Sequence, residues 1–141
     1  MDENIAISVA ETLSEALSEF HALGNETLRV VRSLYDEESL VRVIFVFDRM
    51  ALSVWCESGD DSIAFKVTPS AEADIGSSID TSHFEHWKSV IGKSFGWGWI
   101  TINQQGYCDG LLISFEGTHP QLLLTGMASS LAVSIVARTV D

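Results

Sequence analysis

The side chains best suited to chemistry gather in "NQQGYCDG", residues 103–110, between two apolar segments. Asn103, Gln104 and Gln105 each offer a donor and an acceptor, Tyr107 adds a rigid ring with a hydroxyl, and Asp109 adds a carboxylate. Uncharged amides beside a tyrosine make a good recognition surface, so these five residues form a candidate contact surface. The same stretch also reads as the turn of a β-hairpin, with Gly106 free to take a positive φ. The turn accounts for Gly106 and one polar residue, and a contact surface would sit on top of it. Asp109 falls in an apolar strand, where a buried carboxylate needs a partner; Asn103, Gln105 or Arg138 would supply one. A catalytic aspartate would need a nucleophile or base, and the spacing identifies none. An alternative reading keeps a small enzyme that uses Asp109 with Tyr107 or His86. Another keeps a small-ligand binder beneath the strand of Trp97 and Trp99.

The other chemistry-bearing groups are sparse. "HFEH" sets His83 and His86 one helical turn apart around Glu85, but a metal site needs a third ligand and usually further groups that hold the ligands in place, so the pair reads as solvent-exposed histidines. His119 lies in "GTHPQ", a turn. Cys56 and Cys108 are the only cysteines, each in a strand-like apolar segment, and read as buried thiols in a reducing compartment. No nucleophile elbow, phosphate-binding loop, dinucleotide fingerprint or paired Cys-x-x-Cys occurs. The sequence therefore calls for no catalytic residue, metal or cofactor.

The elements that must position these groups follow from hydrophobic period. Ile5, Val9, Leu13, Leu17 and Phe20 form a helical stripe with Ala16 beside it; Glu11, Ser14, Glu15, Ser18 and Glu19 lie opposite, and Gly24-Asn25 is the stop. From Thr27 to Thr68 the period is two, in four strands whose connections are too short for a crossover helix, which requires antiparallel pairing. "PSAEADIGSSIDTS" reads as an exposed loop. "SHFE" then reads as a capping box between Ser82 and Glu85, opening a short helix with Phe84, Trp87 and Ile91 on one face. The second strand block starts with Phe95, Trp97 and Trp99 on one face and Gly96 and Gly98 on the other, an arrangement that admits strong twist or a close neighbour over the bare side. Tyr107, Asp109, Leu111, Ile113 and Phe115 share a face of the next strand. Residues 127–138 fit a strand through Val133, Ile135 and Val136, with a helix as the alternative. The sum is an α+β fold in a single domain, 1–141: an antiparallel sheet of about eight strands carrying an N-terminal amphipathic helix and a short middle helix.

The net charge of −12 is unevenly spread. Residues 1–80 hold 16 acids against five bases, and residues 81–141 four acids against three bases. An acidic field without a basic stripe repels nucleic acid and anionic membranes, and would attract a basic protein partner or serve solubility alone. No apolar run approaches the roughly 20 residues of a membrane span. The acidic start "MDENIAISVAETLSE" is not that of a secretory signal, so a bacterial cytoplasmic protein is expected.

Trp87, Ile91-Gly92-Lys93, Trp97, Trp99, residues 103–107 and Asp109-Gly110 together carry a resemblance. Over its C-terminal half the chain resembles an uncharacterised bacterial family of small proteins, a domain of unknown function, which implies no activity. In size and charge it is also similar to toxin-neutralising immunity proteins and to secretion chaperones. The expectation is an acidic, non-enzymatic protein-binding module, immunity-like or chaperone-like.

Overall fold

Alternation of apolar and polar residues produces strands wherever the sequence shows it. The computed structural model describes residues 3–57 and 61–136, with side chains from Ile7 onward except Ser8. Helix α1 (Glu3–Ala22) is followed by β1 (Leu28–Asp36), β2 (Ser39–Phe47), β3 (Met50–Cys56), β4 (Ile63–Pro69) and the two-residue β5 (Ile79–Asp80). A one-turn helix, α2 (Glu85–Lys88), leads into β6 (Phe95–Ile102), β7 (Cys108–Phe115), β8 (Leu122–Met127) and β9 (Ser130–Ile135). The α+β class and the antiparallel pairing are as expected. The strands divide between two sheets, ordered β4-β3-β2-β1-β5 and β6-β7-β8-β9. Residues 130–135 are strand; residues 137–138 lie outside the described residues.

The two sheets face each other, with β4 near β7, β3 near β8 and β9, and β2 near β9. One core runs between them, from Val31, Phe45, Leu52 and Val54 to Leu111, Ile113, Leu122 and Leu124, all buried. Burying a side chain of this size contributes about 1.5–3 kcal/mol, so this shared layer dominates the favourable side of folding. Backbone bonds from Leu28 N to Lys93 O (2.9 Å) and from Phe95 N to Glu26 O (2.8 Å) join the sheets at one corner. Glu26, 4% exposed, accepts at that corner from the amides of Arg49 (2.7 Å) and Met50 (3.1 Å) and pairs with the Arg49 guanidinium.

Helix α1 closes one side, on a face rotated from the expected stripe. Ala16 and Leu23 are buried, whereas Leu13 is 46% and Leu17 63% exposed; the side chain of Ile5 lies outside the described set. Two contacts set the rotation. The Phe20 ring lies where a Cβ on Gly98 would stand, 2.5 Å away, and stacks between Phe65 (centroids 5.6 Å apart) and Phe95 (6.2 Å). Glu19, assigned by period to the solvent face, accepts at Oε2 from the Val67 amide on the outer edge of β4. The stop is as expected, with Asn25 at φ 64°.

The path from β4 to β5 must travel from one edge of its sheet to the other. Residues 70–78 do so as a strap over the outer face, tied down where Arg32 donates to Ser78 Oγ (2.9 Å) and to Ser78 O (2.6 Å). The capping box of Ser82 and Glu85 does not form, because Phe84 is the N-cap and no side chain caps the helix. Ser82 Oγ accepts instead from the Val31 amide at 2.9 Å, continuing the β1 ladder where β5 ends.

Candidate binding surface

The 103–107 segment is a hairpin turn built by its own side chains. Gly106 N–H bonds to Asn103 O (2.9 Å), Asn103 N–H to Tyr107 O (3.1 Å), and Asn103 Oδ1 accepts from the Gln105 amide (2.9 Å). Gly106 takes φ 91°, which a Cβ would penalise. Asn103 is thus occupied by the turn, while Gln104 and Gln105 point into solvent and Tyr107 is half-buried.

Asp109 departs from its expected face. Thr101 pairs with Gly110 and Ile102 with Cys108, leaving Asp109 as the extra residue of a β-bulge. The bulge reverses the alternation, so Cys108 enters the core with Leu111, Ile113 and Phe115, and Asp109 stays half-buried outside it. Of the partners expected for it, neither Asn103 nor Gln105 is bonded to it. The Thr101 hydroxyl donates to Asp109 Oδ1 at 2.6 Å, and Gly110 makes room, since a Cβ there would lie 2.5 Å from that hydroxyl. Arg138 lies outside the described residues. Asn103, Tyr107 and Asp109 line one open hollow of about 540 Å³ with Thr101, Leu123, Thr125 and Asp61. Glycine at 126 lets the Asp61 loop approach, because a Cβ there would overlap the Asp61 carbonyl.

Beyond the turn the outer face of this sheet is apolar. Trp99, Leu112, Leu123 and Ser134 are consecutive cross-strand neighbours, and Trp97 (56% exposed) lies 6.1 Å from Trp99, ring to ring. Leu17 and Phe20 of α1 continue the patch into a groove of about 490 Å³ that Trp97 also lines. Sequence reasoning named the tryptophans, missed Leu112 and Leu123, and placed Leu17 in the packed stripe of α1. The signal was present in "LLISF" and "LLLTG", where leucines occupy both alternation phases and one phase must face outward.

A family model described as a family of unknown function, DUF6334, matches residues 13–139. The chain belongs to this family. The DUF6334 match extends from α1 past β9, well beyond the C-terminal half that carried the resemblance, and the expectation of an uncharacterised family holds. No curated protein and no solved structure matches the chain.

The remaining groups of this DUF6334 protein lie apart from the turn. His83 is exposed with its ring edge on Phe84, and His86 packs 4.4 Å from Trp87, ring to ring, where burial holds its pKa below the ordinary histidine value. Trp87 in turn meets Phe45 of the five-stranded sheet, so His86 stands on α2 against that sheet while Asp109 belongs to the four-stranded one. Among the described residues no group of three His, Cys, Asp or Glu is placed to hold a metal ion. Neither Cys56 nor Cys108 forms a disulfide; Cys108 is buried, and that burial, against a bond to Gly110 O, pushes its pKa up. Among the described residues no helix is long and apolar enough to cross a membrane.

Proposed function

We propose that the protein is a non-enzymatic binding module that engages a basic protein partner with the outer face of its four-stranded sheet. One observation carries the reading: the row Trp99, Leu112, Leu123, with Trp97 beside it, has no element of the described chain packed over it. An apolar patch continuous over a helix and a sheet is the mark of an interaction surface, and tryptophan supplies interface energy readily. The partner's charge follows from what borders the patch. Residues 95–136 contain no lysine or arginine, and their acids are Asp109 and Glu116. In a chain of net charge −12, a partner with an apolar centre and cationic rim is complementary, whereas a second copy brings like charge. Gln104, Gln105 and Tyr107 stand at the end of this face as its polar rim, with Asn103 and Asp109 fixing the turn. Inhibition of a toxin and escort of a secreted protein in a bacterial cytoplasm are the concrete forms this takes.

Site-specific photocrosslinking tests the reading. A photoreactive phenylalanine at position 123 is expected to trap a partner in cells, with capture falling as salt rises. The same group at position 53, on the other sheet's outer face, is expected to trap none. Capture from position 53 alone, or a salt-independent adduct at 123, overturns the proposal. An adduct that is an enzyme silenced in the complex identifies the inhibitory form.

A further inference from the structure

On the outer face of the five-stranded sheet, Leu34, Arg42, Trp55 and Ala64 form one cross-strand row. The Arg42 guanidinium lies 4.8 Å from the Trp55 ring centroid, a cation–π contact that fixes its orientation. Among the described residues, Arg29 and Arg49 are paired with Asp48 and Glu26, and Arg32 is bonded to Ser78. Among the described residues Arg42 meets no carboxylate or carbonyl partner, so a half-buried, oriented guanidinium presents its N–H groups in an acidic protein.

Beside it is a cavity of about 270 Å³. Leu34 and the buried Ile44 form its sheet side; Asp74, Ile75 and the 76–78 backbone of the strap form the other. Three chemistries therefore meet in a space at the small end of ligand sites, roughly 300 Å³. The guanidinium takes a carboxylate, the Asp74 carboxylate takes an ammonium and disfavours a second negative charge, and the leucine and isoleucines take a short branched hydrocarbon. We infer that this cavity is a binding site for a free aliphatic α-amino acid, with its carboxylate on Arg42, its ammonium toward Asp74 and its side chain over Leu34 and Ile44. The site is on the opposite sheet from the proposed partner surface and stands independently of it.

Amide-resonance NMR of the full chain with L-leucine tests the assignment. Saturable shifts are expected at Gly76, Ser77 and the Trp55 indole. Isocaproate, which lacks the ammonium, is expected to bind about tenfold more weakly, and isoamylamine, which lacks the carboxylate, not measurably. Asp74→Asn should reduce leucine to the isocaproate level, and Arg42→Gln should abolish the shifts. Because Arg42→Gln also removes the Trp55 stack, Arg42→Lys serves as the second variant, expected to bind leucine more weakly than the parent. Absence of saturable shifts with leucine, shifts that persist in Arg42→Gln, or equal binding of leucine and isocaproate overturns the inference.

Discussion

The outer faces of the two sheets are treated in opposite ways by one chain. Over the five-stranded sheet, Arg32, Arg42 and Lys66 stand among the outward residues, and the 70–78 strap is bonded across it. Over the four-stranded sheet the outward rows are Trp99-Leu112-Leu123-Ser134 and Thr101-Gly110-Thr125-Ala132, with no basic residue, the bulge carboxylate of Asp109 on Thr101 at one end, and no strap of the described chain bonded across them. Antiparallel sheets commonly keep one solvated face, and that face is usually polar. The apolar face is thus the anomaly, and the strapped face shows what the same fold does where it closes a face on itself.

The largest test of this contrast cuts the strap. Arg32→Ala removes both bonds to Ser78 and is expected to cost about 2–3 kcal/mol in denaturant unfolding. A loss near zero would mean that the strap rests on the sheet without holding it. On the bare face the polar fixings are local, so the cost should be smaller. Thr101→Val leaves the half-buried Asp109 without its hydroxyl donor and is expected to cost about 1–2 kcal/mol. Gly106→Ala, forced to keep a positive φ, should cost about 1 kcal/mol by thermal melting.

His86 probes the side of the five-stranded sheet that α2 covers. Its pKa is depressed by burial, so the unfolded chain binds its proton first, and stability is full above the ordinary value of about 6.5 and declines as pH falls through it. His86→Gln should flatten that part of a melting-temperature profile; an unchanged slope would place the titration elsewhere. The smallest effect is expected at the rim, where Gln104→Ala should change stability by no more than about 0.5 kcal/mol while weakening partner capture.

Much of this was legible in the sequence where local pattern decides the outcome. Period two located the strands, Gly24-Asn25 located the end of α1, and the turn chemistry located the 103–107 hairpin. Gly98 opposite Trp97 and Trp99 admitted either strong twist or a close neighbour, and Phe20 is such a neighbour. What depended on partners distant in sequence was not legible. Nothing local separates one sheet of about eight strands from two packed sheets, because alternation reports that a face is buried and not what buries it. The Asp109 bulge defeated alternation by adding one residue, and Ser82 was drawn from its capping role by an amide 51 residues away. Glu19 failed as a solvent-face residue because the edge of β4 needed an acceptor more than the helix needed a polar face.

That last bond has a bearing on how the protein stays dispersed in a crowded cell. An outermost strand is a template for any passing strand, and β4, "IAFKVTP", would be a competent one. With the Val67 amide already taken by Glu19, a docking strand finds one of its rungs occupied and a helix standing in its way. Helix α1 therefore acts as a guard against fibril nucleation as well as a side wall of the core. Glu19→Ala is expected to shorten the lag before thioflavin-positive aggregates form near the melting temperature, and an unaltered lag would assign that protection to the helix body alone.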